Sequence, residues 1–442
     1  MSFCVAVPRL IRSEIMDYGY SQKVVSAEEA LSHIKNGDQI ILAHAAAEPN
    51  YLVSKLVELK ENYEGVELST VVTLNPCHYT AEGMAPHFRG NYFFSTGNNR
   101  DKINANFADY SPVFFHDVPR VMRDCLGIDV ALVQVTPPDK HGWCSLGPSA
   151  DFTSTAVESA KLVIAQVNKY LPRTFGDTSV HVRDIDFFVE HDEPMVEYSS
   201  GAVNDTAIAI GKNIASLIKD GDVLQLGIGV IPDATMMFIQ DKKDLGLHSE
   251  MISDGVVDLM EKGIINNSRK QLDRGKSVTC FLMGSKKIYD FADDNPSMLI
   301  KSVAYTNDVR IIAQQDNMVA INSCIEMDLN GQAASESFGT RQFSGTGGQV
   351  DFVRGANMSK GGRAILAFPS TAAKDTVSRI VPVLKAGTFI TTSRNDVDYV
   401  VTEYGIAQLR GKKMRDRAEE LISVAHPKFR DELRFEFKKI FG

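Results

Sequence analysis

The sequence predicts an α/β protein of two similarly folded domains in tandem, each an open twisted sheet of largely parallel strands. An internal repeat is the first reason: Ile34-Lys-Asn-Gly-Asp-Gln-Ile-Ile-Leu42 matches Ile218-Lys-Asp-Gly-Asp-Val-Leu-Gln-Leu226 at an offset of 184. Val130-Ala131 with Asp139 and Gly142 matches Val319-Ala320 with Asp328 and Gly331 at an offset of 189, and Ala160 to Ala165 matches Gly362 to Ala367 at 202. The order is kept while the offset only grows, which chance matches do not arrange. Short apolar runs alternating with helical patterns are the second reason, because that alternation builds parallel sheets. The third is an acidic, proline-bearing stretch from Glu190 to Gly201, which reads as a boundary. It divides the chain into domains at 1–195 and 196–442.

Taken in order, Ala27 to Ile34 and Leu52 to Leu59 have the spacing of amphipathic helices. Ile40 to Leu42, Val71 to Leu74, Val130 to Val135 and Leu162 to Val167 are apolar runs bounded by Gly, Pro or Asn, the length of buried strands. In the second half the strands are Val223 to Leu226, Val278 to Met283, Val319 to Ser323, Ala364 to Phe368 and Val397 to Thr402. Asp244 to Gly255 reads as a short strand followed by a helix capped by Ser253 or Asp254. The rise in offset from 189 to 202 locates an insertion confined to the second half, which contains Phe343 to Phe352. Sites in such sheets lie outside the strand carboxyl ends. The segments leaving the strands are therefore where chemistry is sought.

Composition narrows the classes. With 44% hydrophobic and 23% charged residues the bulk of the chain is too apolar to be disordered. The longest stretch free of Asp, Glu, Lys and Arg, Leu68 to Ala81, has 14 residues, whereas a membrane span needs ~20. The net charge is −9 and no Lys/Arg run occurs, so neither a membrane nor a nucleic acid is expected as partner. Cys4, Cys77, Cys125, Cys144, Cys280 and Cys324 are scattered without a CxxC pair, which argues against a metal site and suits a reducing, cytoplasmic compartment. In Met1 to Tyr20 the basic Arg9 and Arg12 follow the apolar run, the wrong order for a secretory signal. Glu14 and Asp17 count against a mitochondrial presequence, and the segment is read as an N-terminal extension.

Several strand exits carry residues of chemical interest. Gln225-Leu-Gly-Ile-Gly-Val-Ile-Pro-Asp-Ala234 enters a helix, and Gly227 and Gly229 there let backbone N–H groups approach an anion. It imitates a dinucleotide fingerprint, but Pro232 stands where the third glycine belongs. Glu250 lies at a strand's carboxyl end among apolar neighbours, where a carboxylate is costly. Gly345-Thr-Gly-Gly348 belongs to a tract, Gly339 to Gly362, with seven glycines in 24 residues, flanked by Arg341, Arg354, Lys360 and Arg363. Such a loop can turn N–H groups inward as an oxyanion nest. Glu48 of Ala47-Glu-Pro49 occupies the first-half counterpart of the Val230-Ile-Pro232 turn and is a candidate substrate contact. Cys77 and His78 are adjacent on an extended chain and point apart, so they do not make a thiol–base pair. His141-Gly-Trp143 reads as a turn anchored by its tryptophan.

With these segments assembled, the chain resembles the acetyl-CoA hydrolase/transferase family of class I CoA-transferases, in its 4-hydroxybutyrate and butyrate branch. The resemblance rests on Ile34 to Asp38 with Ala47-Glu-Pro49, Gln225 to Ala234, His248-Ser-Glu-Met-Ile-Ser-Asp-Gly255, Gly345-Thr-Gly-Gly-Gln-Val-Asp-Phe352 and Val401 to Arg410, in order along nearly the whole chain. It implies two open-sheet domains of the NagB/RpiA/CoA-transferase-like kind, in agreement with the repeat. It also implies Glu250 as nucleophile and Gly347 and Gly348 as oxyanion donors. Glu48, Gln225, Gly227, Gly229, Pro232, Gly345, Gln349 and Arg354 would line the acyl or CoA site. Ala43-His-Ala-Ala-Ala47 departs from the glycines often found there, which bears on the acyl pocket.

The implied activity moves CoA between a short-chain acyl-CoA, butyryl- or 4-hydroxybutyryl-CoA, and acetate by ping-pong kinetics through a glutamyl-CoA thioester. The alternative on the same fold is acyl-CoA hydrolysis. Coenzyme A is then a substrate and no cofactor is permanently bound. A homodimer is expected on general grounds.

Overall fold

The computed structural model describes residues 18–442; the reading of the N-terminal extension lies outside them. The first sheet contains β1 (Gln39–Leu42), β2 (Val66–Thr70), β3 (Phe88–Tyr92), β4 (Ala108–Tyr110), β5 (Val130–Val135), β6 (Leu162–Val167) and β7 (Phe187–Glu190). Its order is β4-β3-β2-β1-β5-β6-β7, all parallel. The second contains β8 (Val223–Leu226), β9 (Gly246–Leu247), β10 (Met318–Asn322), β11 (Arg363–Ala367), β12 (Tyr399–Thr402) and β13 (Gly405–Gln408). It runs β9-β8-β10-β11-β12-β13, with only the last pair antiparallel. The segments matched in the sequence repeat occupy equivalent places: β1, β5 and β6 stand side by side as β8, β10 and β11 do. Each sheet reverses its winding beside β1 or β8, and that reversal opens a crevice at the strand carboxyl ends.

Burial explains why these runs form strands. All six residues of β5, Val-Ala-Leu-Val-Gln-Val, are buried, as in a parallel sheet covered on both faces. Helix α1 (Ala27–Leu31) is capped by Ser26, whose Oγ accepts from Glu29 N at 3.1 Å. Helix α2 (Asn50–Glu58) buries Leu52, Val53 and Leu56 on one side. Helix α3 (Asp205–Leu217), capped by Asn204, packs closely on α4 (Val230–Met237). Gly211 permits that approach, because a Cβ there would stand 2.7 Å from the Ala234 carbonyl carbon. Among the described residues no helix is long and apolar enough to cross a membrane.

The two sheets meet in a continuous seam. Ala150 N donates to Cys280 O at 3.2 Å, Leu282 N to Pro148 O at 2.9 Å and Val303 N to Asp151 O at 3.0 Å. Further along, Asp177 N donates to Ile300 O at 2.8 Å and Ile300 N to Phe175 O at 2.7 Å. A side chain at Gly176 would strike Ile300 O at 2.2 Å. One apolar cluster joins Ile41, Val133 and Phe152 of the first half to Met251, Phe281 and Met283 of the second.

Some elements differ from expectation. Val71 to Leu74 is not a strand; β2 is the preceding Val66-Glu-Leu-Ser-Thr70. Ser69 and Thr70 are fully buried in that covered sheet, while Val72 has passed the strand end and accepts from Ala45 N at 2.9 Å. Strands β3, β4 and β7 went unread. In β3 the apolar pattern is broken by Arg89, Gly90 and Asn91, and Gly90 is small because Thr80 Cγ2 would lie 2.4 Å from a Cβ. The helix expected to reach Ile34 stops at Leu31. Val278 to Met283 is two strands, Ser277–Thr279 and Phe281–Leu282, broken at Cys280. Ser253 stands at the N-cap of α5 (Asp254–Glu261), but its buried Oγ has no partner and caps nothing. Asp254 accepts from Ser285 N instead, at 3.0 Å. Trp143 is 38% exposed and set edge-on to His181, so it stands at the surface rather than anchoring the core.

Candidate active site

Glu250 follows β9 at the carboxyl edge of the second sheet. Its backbone is held by the break at Cys280: Cys280 N and Phe281 N turn to Glu250 O at 3.0 and 3.3 Å, and Thr279 Oγ1 donates to it at 3.0 Å. Ser249 ties the same segment to β8, receiving Leu226 N at 3.2 Å and donating to Leu226 O at 2.9 Å. These bonds leave the Glu250 side chain partly buried and aimed at the glycine loop of the insertion.

At the carboxylate, Asn307 Nδ2 donates to Oε2 at 2.8 Å, and the Gly348 N–H favours its charged form. Gly348 is the N-cap of α6 (Gln349–Met358), so the carboxylate lies at the positive end of a helix. Only glycine fits: a Cβ at 348 would lie 1.9 Å from Glu250 Oε2 and 2.1 Å from Asn307 Nδ2. Gly347 has φ 53°, the left-handed region, which turns the loop inward. Burial nevertheless dominates and pushes the Glu250 pKa up to about 7, with Asp351 and Asp151 adding negative potential.

First-half residues support the loop. A Cβ on Gly345 would lie 2.8 Å from Phe94 Cα, and Phe115 N donates to Gly347 O at 3.1 Å. Tyr110 Oη and Thr346 Oγ1 both donate to Glu336 Oε2, at 3.0 and 3.1 Å. Arg100 Nε donates to Phe343 O at 2.7 Å while its guanidinium covers the Phe343 ring at 3.8 Å. Asp351, in the first turn of α6, is buried and bound by His116 Nδ1 at 2.8 Å across the seam.

The other anticipated residues are distributed as follows. Gly348 meets Glu250 directly, while Gly345 and Gly347 of the same loop lie against Phe94. Gln225 spans adjacent strand ends, its Oε1 receiving Asn322 Nδ2 at 2.9 Å. Gly227, Gly229 and Pro232 form the turn from β8 into α4, with Gly229 at φ 120°. Gln349 Nε2 bonds Ser335 Oγ and Thr392 Oγ1 at 3.0 and 2.9 Å, away from the carboxylate. Arg354 pairs with Asp396 at 3.2 Å. Arg341 pairs with Asp101, and Arg363 lies buried against Asp222, so these cations are bound elsewhere rather than gathered at the loop.

Glu48 is fully buried behind the first-half crevice. Thr73 Oγ1 donates to its Oε2 at 2.6 Å, Oε1 has no partner, and burial raises its pKa to about 7. It lines a cavity of about 280 Å³ with Val53, Val57, Asn75, Cys77 and Tyr79. Burial pushes the Cys77 thiol up to about 11, the opposite of an activated nucleophile. His248 is also buried, with Nε2 2.8 Å from Thr306 O and its pKa lowered to about 4. A neutral His248 thus braces the segment that carries Asn307 and does not act as a base.

Sequence reasoning missed Asn307, His116 and the Phe94 and Phe115 supports. Asp351 lay inside a motif already singled out, but nothing in the pattern assigned it a partner. Asn307 is 57 residues from Glu250, in a Thr-Asn-Asp turn indistinguishable from any other.

Residues 9–198 match the acetyl-CoA hydrolase/transferase N-terminal domain, and residues 284–437 match the C-terminal domain of the same family. Over 423 residues the chain is 55% identical to the 4-hydroxybutyrate coenzyme A transferase of Clostridium kluyveri, covering 96% of this chain and 99% of that one. The chain belongs to the acetyl-CoA hydrolase/transferase family. A butyryl-CoA:acetate CoA-transferase from Anaerostipes caccae, another relative, is 37% identical over 94% of this chain and 95% of its own. The crystal structure of a 4-hydroxybutyrate CoA-transferase from Porphyromonas gingivalis superposes with a TM-score of 0.83 at 42% identity, covering 96% of this chain and all of that one. The family and the two-domain α/β architecture therefore agree with what the motifs implied, and the protein is an enzyme of CoA-thioester chemistry.

Proposed function

We propose that the protein is an acyl-CoA:carboxylate CoA-transferase, with a short-chain acyl-CoA such as butyryl- or 4-hydroxybutyryl-CoA as donor and acetate as acceptor. The observation that carries this reading is Glu250 held between the Asn307 amide and the Gly348 N–H at a helix N-terminus. A carboxylate so placed has oxyanion donors beside the carbon it must attack. The names of the relatives support the same reading.

The Glu250 oxygen adds to the thioester carbonyl carbon, and the displaced electron pair resides on the carbonyl oxygen. Collapse breaks the C–S bond, releasing CoA thiolate and leaving an acyl-glutamyl anhydride. The thiolate adds to the glutamyl carbonyl of that anhydride and expels the donor carboxylate, which leaves a glutamyl-CoA thioester. The acceptor carboxylate attacks this thioester and frees the thiolate, which then attacks the acyl carbonyl of the new anhydride. A new acyl-CoA leaves and Glu250 is restored, with no net redox change and no water consumed. Gly347, Gly348 and Asn307 stabilise the successive oxyanions, a contribution of about 3–4 kcal/mol for each such donor. Two halves meeting over the carboxylate exclude the water that would hydrolyse the intermediates.

Intact mass after incubation with butyryl-CoA tests this. The expected result is a CoA adduct on the wild-type protein, discharged by acetate and absent from Glu250→Ala. Thiol release without an adduct, continuing without acceptor, would instead make the enzyme a hydrolase. An adduct retained by Glu250→Ala would reject Glu250 as the nucleophile.

A further inference from the structure

Two carboxylates, Asp351 and Asp151, put negative potential on Glu250, and each is bound by a histidine. The Asp151–His44 pair is fully buried within the first half. The Asp351–His116 pair differs because it crosses the seam, and His116 is 38% exposed at its side chain. Asp351 also receives the His116 backbone N–H at 3.3 Å. The Asn307 amide that donates to Glu250 stabilises the ionised Asp351 as well. Measured contacts thus join first-half His116 to Asp351 and Asn307 to Glu250, and the Asp351 charge acts on Glu250 between them.

From this geometry we infer that His116 is a positioning residue for the reaction: its charge, reaching Glu250 through Asp351 and Asn307, sets the pH at which the nucleophile ionises when the halves are together. The inference rests on the assignment of Glu250 as nucleophile.

The groups facing His116 are Asp351 of α6, the neighbouring Asp117, and Asp308 beyond Asn307. Asp117 is bound by Arg120 and Asp308 by Arg310, both at 2.6 Å, so Asp351 is the carboxylate left to His116. Arg354 stacks toward Phe114 and is bound to Asp396. Glu250 itself faces Asp351, Asp151, the Asn307 amide and the Gly348 N–H, with the Cys280 thiol beneath its backbone. Asp351 raises the His116 pKa above its ordinary value, favouring the imidazolium whose charge offsets that of Asp351. The pair is then close to neutral.

Opposite effects follow for its two members. His116→Gln leaves the Asp351 charge uncompensated beside Glu250 and disfavours its ionisation. Asp351→Asn removes that negative charge and favours it. In single-turnover formation of the CoA adduct from butyryl-CoA, followed by quenched intact mass across pH, His116→Gln should move the acid limb up by about one pH unit. Asp351→Asn should move it down by about as much. His116→Lys, which keeps a cation, should hold the limb nearer to the wild type than His116→Gln does.

A purely structural role would lower the rate at every pH without moving the limb, or move both variants in the same direction, and either result overturns the inference while leaving Glu250 as nucleophile. No adduct on the wild type at any pH would sink that assignment, and this inference with it.

Discussion

As the proposed nucleophile, Glu250 must be ionised to attack, yet burial raises its pKa to about 7. The kcat/KM of the free enzyme is therefore expected to fall below an acid limb near pH 7, which a pH–rate profile with butyryl-CoA and acetate measures. A profile flat down to pH 5 would contradict it. Gly348→Ala places a methyl group where Glu250 Oε2 and Asn307 Nδ2 meet, and should lower kcat by about 100-fold or more. Asn307→Ala removes one donor and should lower kcat by about 100–1,000-fold with a smaller change in KM. Glu48 offers a stability test. Its native pKa, about 7, lies above the ordinary 4.5, so the folded state binds the proton more tightly than the unfolded one. Its contribution to stability is full below pH 4.5 and falls as pH rises through 7. Glu48→Gln should therefore be more stable than wild type at pH 8 by about 1–3 kcal/mol, and nearly equal at pH 5, in urea unfolding. A gain that is the same at both pH values would point to packing rather than charge.

At the scale of elements, the insertion specific to the second half is held by the first. Tyr110, at the end of β4, donates to Glu336, which also receives Thr346 at the head of the glycine loop. Tyr110→Phe should cost about 1–2 kcal/mol, with a fall in kcat larger than any change in KM, because the loop carries the proposed oxyanion donors. Equal stability with unchanged kcat would show that the loop does not depend on this clamp. The sequence made the loop legible, since its glycines are dense and its offset jump marks an insertion. It also made β1, β5, β6, β8, β10 and β11 legible, because strands buried on both faces read as continuous apolar runs. Edgeward strands escaped for the converse reason: β3 carries Arg89, Gly90 and Asn91, and β2 carries Glu67 and Ser69. Their burial is decided by neighbours rather than by composition. The break at Cys280 is invisible in the sequence because Val278 to Met283, in which only Thr279 is polar, reads as one continuous strand. Only the turn of two N–H groups toward Glu250 divides it.

Across the whole molecule, the proposed nucleophile belongs to the second half while much of its setting belongs to the first. Cys280, which holds the Glu250 backbone, accepts from Ala150 N, and Leu282 two residues on donates to Pro148 O. The apolar cluster beneath them draws on both halves. Separate sheets with a shared core should unfold together, so calorimetry is expected to show one transition whose calorimetric and van't Hoff enthalpies agree. Two resolved transitions would mean that the seam is weaker than its hydrogen bonds and packing indicate.

By itself the sequence determined the two-fold α/β plan, the strands at its centre, the family, and the positions of Glu250 and the Gly345 to Gly348 loop. These depend on periodicity, on glycines that no other residue replaces, and on motifs short enough to be read locally. Only the tertiary structure decided which groups meet Glu250. Asn307, Asp351 and His116 come from separate elements, and His116 stands 235 residues from its partner Asp351. Their types are ordinary for exposed turns. What makes them part of a site is the meeting of the two halves, which buries Asn307 and Asp351, leaves His116 at the rim, and has each charge balanced by whichever group the fold brings near.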